Sequence, residues 1–258
     1  GIFILRQGGF TDNKVPFSKD KAAALWMDLI KQLEADGYDY ELLTSGHFAD
    51  EAFLDYLIRK YGVPENKCVF NINSPEKLIG KISSFDAVIS CRLHPSIISF
   101  ALDVPSVGIV WNQKVTGFYN SVGYGDRVFE TEGISAERIV KKIEQIIQEG
   151  VKKDSEFLMS VYNTLFYAIR DALELSDQGE PYGYEELLQQ LPPYPGTSVS
   201  EQQEKLQRKF RRAYGAYNSR VDKIKSMKQK AEKLEADNQR LRERFVYRCC
   251  KKLFGKKK

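Results

Sequence analysis

The sequence predicts an α/β protein built on a doubly wound parallel sheet, followed by a helical, coiled-coil extension. Short, continuously apolar runs alternate with amphipathic segments through the first 150 residues. Apolar runs of this kind are typical of strands that helices bury on both faces. Beyond residue 200 the apolar residues follow a seven-residue repeat. We therefore divide the chain into an α/β domain over residues 1–150, a helical segment with a proline-rich linker over 151–199, a coiled coil over 200–247 and a basic tail over 248–258.

The first half of the sheet is predicted from three apolar runs and the signals between them. Residues 2–5 form the first strand, and the polar residues from Arg6 to Ser18 are predicted to form a loop. A helix follows to about Ala35, with apolar residues at helical spacing, and Gly37 ends it. The other elements of this half are strands at 40–43 and 68–72 and a helix at 50–61 that Gly62 closes.

The second half begins with a helix over 75–82, because Ser74 is a good N-cap and Pro75 suits a first helical turn. Residues 87–90 form the next strand, and a helix opens near Pro95. Its apolar face is predicted to comprise Ile97, Ile98, Ala101 and Leu102. The last predicted elements are strands at 106–110 and 127–130 and helices at 115–121 and 135–148.

Basic side chains follow several of the predicted strands. Arg6 ends the first strand, Arg92 and His94 occupy the turn after strand 87–90, and Lys114 follows strand 106–110. Open α/β sheets bind ligands at this carboxyl edge. Guanidinium groups suit carboxylate or phosphate, a histidine passes protons near neutral pH, and a helix N-terminus favours an anion. The pattern indicates a site for a small, multiply charged anion.

Other local signals do not indicate a cofactor or a metal. Gly8-Gly9 lacks the spacing of a dinucleotide fingerprint and is not followed directly by a predicted helix. His47 lies in a loop beside Gly46, where a structural or acceptor-facing role is expected. The four cysteines lack metal-ligand spacing. Cys68 and Cys91 are predicted to be small core residues, and adjacent Cys249 and Cys250 cannot form an unstrained bridge, so we expect a reducing, cytoplasmic compartment.

Charge divides the chain into an acidic body and a basic end. Residues 1–199 carry a balance of −9 and residues 200–258 a balance of +13, within a net charge of +4. The segment 244–258 mixes aromatic residues with a dense basic run, which favours peripheral attachment to an anionic membrane surface. A solvated helix face is the plainer interpretation. The body has no helix-turn-helix, RNP motif or zinc spacing, so we expect no nucleic-acid partner.

The repeat beyond residue 200 alternates spacings of four and three, and ten of its twelve positions are apolar. With Leu234 and Leu241 at position d, Asn238 falls at position a, where a single asparagine fixes a parallel two-stranded register. We expect a homo-oligomer, with one long helix that folds back on the body as the alternative. The repeat comprises Leu206, Phe210, Ala213, Tyr217, Arg220, Ile224, Met227, Ala231, Leu234, Asn238, Leu241 and Phe245.

The run SCRLHPSIISFALDVPSVGIVWNQKVTGFYNSVG resembles the polysaccharide pyruvyl transferase family. The matching features are an Arg-Leu-His after a strand, a helix ending Ala-Leu-x-x-Pro, a strand Val-Gly-Ile and a Lys-Val-x-x-Phe helix. The opening FILRQGG resembles the first strand of the second domain in those enzymes. The resemblance covers roughly residues 1–150 and does not include residues 200–258.

The resemblance implies one Rossmann-like half of a GT-B-like enzyme, with a comparable domain upstream of Gly1. It also implies phosphoenolpyruvate as co-substrate, without a cofactor or metal, and transfer of pyruvate to a glycan or lipid-linked glycan as a cyclic ketal. Arg6 and Arg92 would hold the donor's carboxylate and phosphate, and the Leu93 backbone would add an N–H donor. Lys114 would belong to the same donor site, and His94 would be the general acid.

Two other functions remain open from the sequence. A nucleotide-sugar glycosyltransferase of the same architecture would use a similar edge, with Glu130 or Glu132 gripping the donor ribose. A non-catalytic, membrane-bound coiled-coil scaffold would carry a degenerate transferase domain. The first would bind UDP-sugars in place of phosphoenolpyruvate, and the second would bind neither.

Overall fold

The computed structural model describes residues 1–70, 72–175, 179–190 and 196–254. These residues form two compact units, Gly1–Gln202 and Gln203–Lys258. Residues 191–195 of the predicted proline-rich linker, and the lysines at 256–258 of the predicted basic tail, lie outside the described residues.

Unit 1 contains a six-stranded sheet in which every strand pairing is parallel. The spatial order is β3-β2-β1-β4-β5-β6, so β1 and β4 are the two central strands. This arrangement, with its flanking helices, confirms the predicted α/β class. The strands are β1 Ile2–Phe3, β2 Leu42–Leu43, β3 Cys68–Val69, β4 Val88–Ser90, β5 Ser106–Ile109 and β6 Val128–Phe129.

Ten α-helices are present in the described part of the chain, and two short 3-10 turns precede β3 and β6. Ser, Asn or Asp side chains cap α2, α4, α6, α7 and α8, as the cap signals of the sequence indicate. The helices are α1 Gln7–Asp12, α2 Lys19–Ala35, α3 Phe48–Tyr61, α4 Pro75–Ser83, α5 Leu93–Ala101, α6 Gln113–Ser121, α7 Ala136–Glu149, α8 Ser155–Ala172, α9 Tyr184–Gln190 and α10 Val199–Phe254.

The sheet separates two hydrophobic clusters, because successive strand residues point to opposite faces. In β1, Ile2 enters the larger cluster and Phe3 the smaller one, and Leu42 and Leu43 divide in the same way. Helices α2, α3 and α7 supply buried side chains to the larger cluster. Helices α4 and α5 contribute to the smaller one. Burial on both faces explains why these strands are mostly apolar, with the small Ser90 and Ser106 as their polar residues.

The loop predicted for residues 6–18 is wrong in its first half, where α1 begins directly after β1. Glycine is a poor helix former, so the two glycines of this segment argue against a helix when the sequence is considered alone. Here the missing side chains make room for Arg6 and Leu5. A Cβ at Gly8 would lie 2.0 Å from Nη1 of Arg6, and one at Gly9 would lie 2.9 Å from the Leu5 side chain. The prediction that no helix directly follows Gly8-Gly9 is therefore also wrong, because both glycines lie within α1.

The predicted apolar face of α5 is also partly wrong. Ile97 and Ala101 are exposed, whereas Ser96 and Ser99 are buried. Ile98 packs against the smaller cluster, as predicted for that residue, and Leu102 does so just beyond the helix. Small serines let α5 lie close to the sheet, and Ser96 satisfies its hydroxyl by donating to the Arg92 carbonyl.

Residues near the start of α10 are tied to α4 within unit 1. Thr197 donates its main-chain N–H to one carboxylate oxygen of Glu76 and its hydroxyl, at 2.9 Å, to the other. Hydrogen bonds from Ser74, from the Glu76 main chain and from Thr197 lower the pKa of Glu76 to about 2. The carboxylate therefore stays ionised, and this tether persists, throughout the physiological pH range.

Unit 2 consists of the greater part of α10, a helix of 56 residues that continues without a break through Gly215. Its large apolar side chains are exposed, Leu234 and Leu241 among them. Over the residues that the structure describes, no helix combines the length and the apolar character needed to span a bilayer.

Candidate functional site

The centre of the carboxyl edge lies between β1 and β4, where the chain order of the sheet reverses. The helices that follow these two strands leave toward opposite faces, since α2 packs in the larger cluster and α5 in the smaller. A reversal of this kind opens a crevice at the strand ends. Arg6 begins α1 after β1, and Arg92 begins α5 after β4. The geometry therefore places both arginines at the mouth of one crevice.

A buried carboxylate joins the two strand ends. Asp50, in the first turn of α3, has no exposed surface. Its Oδ1 accepts the main-chain N–H of Arg6 at 3.0 Å. Its Oδ2 accepts Nε of Arg92 at 2.9 Å and Nη2 of Arg92 at 2.5 Å. Because an unpaired buried carboxylate is very costly, these donors must be present for the domain to fold as it does.

Trp111 and Ser90 also position Arg92, the first through its guanidinium and the second through its main chain. Its carbon lies 5.5 Å from the centre of the Trp111 ring, which follows β5. The main chain of Arg92 both donates to and accepts from the Ser90 hydroxyl, at 3.0 and 2.7 Å. The side chain is 19% exposed. Nη1 is the only guanidinium nitrogen of Arg92 without a hydrogen-bond partner among the described residues, and it is the edge available to a ligand.

Arg6 is more open than Arg92 and lies over α1. Its Nη2 contacts Asp12 at 3.1 Å, and the absence of a side chain at Gly8 makes room for Nη1. Its Nε is buried and has no partner in the described part of the chain. Arg6 therefore has a hydrogen-bond donor that the described part of the fold leaves unused.

The other predicted donor residues occupy first helical turns on the same edge. Leu93 and His94 are the first two residues of α5, and the imidazole-bearing His94 is exposed. Lys114 lies in the first turn of α6, one strand further along the sheet, and is exposed. Arg92, the N-cap of α5, makes no side-chain cap, so the amide groups of this first turn are not satisfied by a capping side chain.

Two cysteines and two glutamates that the sequence analysis singled out lie elsewhere in the sheet region. Cys91 is completely buried between β4 and Arg92, and burial together with the Asp50 charge raises the pKa of its thiol far above the usual range. It is an inert core residue, as predicted. Cys68, on the edge strand β3, is only partly buried, so its assignment to the core is only partly right. Glu130 and Glu132 are exposed beyond β6, the outermost strand.

His47 begins α3 on the same edge, three residues before Asp50, and its carbonyl accepts the Asp50 N–H at 3.0 Å. Among the described residues, no group of three His, Cys, Asp or Glu side chains is placed to hold a metal ion.

Sequence reasoning missed Asp50 and Trp111 as site residues. An acidic residue in the first turn of a helix ordinarily complements the helix dipole, so Asp50 gave no distinctive signal. Its partner is 42 residues away in the chain. Trp111 extends an apolar run and could equally be a core residue.

Comparison with known proteins gives one match. Residues 13–113 fit the family model described as Polysaccharide pyruvyl transferase. The matched segment contains Asp50, Arg92 and His94, whereas Arg6 and Lys114 fall just outside it. Neither the curated proteins nor the solved structures give a match. The prediction of this family from the Arg-Leu-His turn is thus supported over residues 13–113, a segment that is similar to the polysaccharide pyruvyl transferases and that contains Asp50 and Arg92.

Proposed function

We propose that this domain binds phosphoenolpyruvate at the Arg6–Arg92 crevice and takes part in transferring pyruvate to a sugar of a cell-surface polysaccharide or its lipid-linked precursor. One observation carries the proposal. Two arginines are fixed by the buried Asp50 at the centre of the ligand-binding edge, and the family match spans the turn that bears Arg92.

The charges of the crevice suit an anion with two acidic groups. Asp50 neutralises the charge of Arg92, and the exposed Asp12 pairs with Arg6, so a bound anion would take the place of Asp12 at Arg6. The free edge of Arg92 and the guanidinium of Arg6, whose contact with Asp12 a ligand can replace, would each donate to a carboxylate or phosphate oxygen. The first-turn amides of Leu93 and His94, together with Lys114, would add positive potential for the remaining charge.

The chemistry assigned to this site needs one proton donor and no metal. His94 would protonate the methylene carbon of phosphoenolpyruvate, which leaves an oxocarbenium-like centre at the adjacent carbon. A sugar hydroxyl attacks that carbon and loses its proton. The carbon–oxygen bond to phosphate then breaks, inorganic phosphate leaves, and a second hydroxyl closes the cyclic ketal. Exposure of His94 leaves it open to an acceptor and donor that approach from the crevice.

Arg6→Gln should weaken phosphoenolpyruvate binding by about tenfold or more, because a charge-assisted hydrogen bond contributes about 1.5–3 kcal/mol. Isothermal titration of the donor into the intact chain measures this. His94→Gln should leave donor affinity within about threefold, since its role is proton transfer. Arg59→Gln is the matched control, because Arg59 lies at the far end of α3 and pairs with the exposed Asp55.

Saturable binding of a UDP-sugar in place of phosphoenolpyruvate would overturn this assignment in favour of a glycosyltransferase. Binding of neither ligand by the wild-type chain would contradict a self-sufficient donor site in this domain and would favour a different donor, a site completed by a second domain, or a non-catalytic scaffold.

Gly8→Ala should weaken donor binding without harming the fold. The added methyl would lie 2.0 Å from Nη1 of Arg6, and the flexible guanidinium must move away. Because alanine is a better helix former, the free energy of unfolding should stay equal or rise by up to about 1 kcal/mol. Gly117→Ala on α6, which meets no atom within 4 Å, should give the same stability change with unaltered affinity. Equal donor affinity in both variants would show that the position of Arg6 is unimportant.

Arg92 also has a structural role, which a double-mutant cycle with Asp50 separates from binding. Arg92→Ala should lower the free energy of unfolding by about 3–5 kcal/mol, because it leaves a buried carboxylate unpaired. Asp50→Asn combined with Arg92→Ala should cost at least about 1 kcal/mol less than the sum of the two single changes. Urea denaturation measures all four proteins. Additive losses would contradict the coupling that the geometry indicates.

We propose further that the carboxyl end of α10 binds an anionic membrane surface. Exposed Phe245, Val246 and Leu253 alternate there with Arg244, Arg248, Lys251 and Lys252. Apolar side chains that enter the interface and cations that meet anionic headgroups both favour attachment. Such an attachment suits a lipid-linked acceptor.

Lys251→Gln with Lys252→Gln should weaken binding to vesicles of phosphatidylserine and phosphatidylcholine by roughly 30-fold, at about 1 kcal/mol for each lysine. Co-sedimentation with the vesicles measures this. Lys225→Gln with Lys233→Gln removes the same charge from the middle of the helix and should change affinity little. Equal retention on pure phosphatidylcholine vesicles would contradict the electrostatic part of the proposal.

A further inference from the structure

Helix α10 carries an apolar stripe that its own fold leaves uncovered. From residue 224 to residue 245 the apolar residues recur at alternating spacings of three and four. The large ones among them, Ile224, Met227, Leu234, Leu241 and Phe245, are each between 61% and 70% exposed. A helix with a seven-residue apolar repeat buries that stripe against another helix of matching repeat. The stripe is therefore an interaction surface.

The polar interruption of the stripe selects the orientation of the partner. Asn238 occupies an a position between Leu234 and Leu241 at d. In a parallel pair with equal registers, a positions face each other, so Asn238 would meet Asn238 of a second copy. Each amide offers both a donor and an acceptor, so the pair can satisfy itself. In an antiparallel pair, a positions face d positions, and the amide would be buried against leucine or methionine.

Charges beside the stripe agree with the same orientation. In a parallel pair, position g of one helix lies near position e of the next heptad of its partner. This brings Lys230 close to Glu235 of the second copy, and Asp237 close to Arg242. Both contacts are attractive, and they flank the Asn238 layer on its two sides. One like-charge contact, between Lys223 and Lys228, lies further toward the amino end.

We propose that residues 224–245 bind a second copy of the same helix as a parallel, in-register, two-stranded coiled coil. The apolar residues at positions a and d pack between the two helices, and the Asn238 pair fixes both the register and the number of strands. Gly215, which falls on the outer face at position f, is compatible with the continuation of the helix toward residue 203. The proposal rests on α10 alone and is independent of the donor chemistry.

Cysteine crosslinking in the intact chain tests orientation and register together. Cys68, Cys249 and Cys250 are first changed to serine, which leaves only the buried Cys91. Ala231→Cys at position a and Leu241→Cys at position d are then made separately. Both should form disulfide-linked dimers on mild oxidation, because facing positions in a parallel seam lie within bridging distance. Ala236→Cys at the outer position f is the matched control and should remain unlinked.

Sedimentation equilibrium of the wild-type chain should give twice the mass of the 29.6 kDa chain. Lys230→Glu should weaken the dimer at least about fivefold by facing Glu235 of the partner, and adding Glu235→Lys should restore it. A monomer, a threefold mass, or crosslinking at only one of the two seam positions would each overturn the proposal. Failure of the double charge exchange to restore affinity would overturn the assigned register.

Discussion

The carboxyl edge of this domain depends on the hydrogen bonds of one buried carboxylate. Asp50 lies on α3, yet its two oxygens bind groups that follow β1 and β4. A carboxylate without solvent contact is tolerated only when its partners are complete. The helix and the two central strand ends are therefore fixed relative to one another by electrostatics, at the place where the sheet topology opens a crevice.

The two arginines bind Asp50 in different ways, Arg92 through its side chain and Arg6 through its main chain. Arg92 uses two nitrogens to hold Asp50 and presents its remaining edge, while Trp111 limits its movement. Arg6 is positioned through its main chain, and its more exposed guanidinium pairs with Asp12 through Nη2. Donors that are already oriented before a ligand arrives cost little to reorganise, which is how binding sites and oxyanion sites stabilise charge. Arg92, which is held firmly, and Arg6, which is more exposed, would together suit a ligand with two acidic groups.

The parallel sheet could be predicted from the sequence because each strand is buried on both faces and so forms a continuous apolar run. The arginines could be predicted for a related reason, since polar residues that directly follow such runs must lie at the carboxyl edge. The helix at Gln7–Asp12 could not, because the spatial need for Gly8 and Gly9 exists only once Arg6 and Leu5 have their positions. The burial of Ser96 and Ser99 in place of Ile97 and Ala101 could not be predicted for the same reason, since a close helix–sheet approach favours small residues over larger apolar ones. The role of Asp50 depends on a partner distant in sequence, which no local pattern contains.

Basic residues are concentrated at the carboxyl end of α10, so the orientation of a helix pair would affect binding to a membrane. One basic helix end binds an anionic surface only weakly, since a few cations and three apolar side chains contribute modest energy. A parallel dimer would bring two such ends to the same end of the coiled coil, whereas an antiparallel one would separate them. Two linked sites bind a surface far more tightly than either alone, because the second contact is intramolecular. The Asn238 layer, by selecting the parallel form, would then determine membrane affinity without itself touching a lipid.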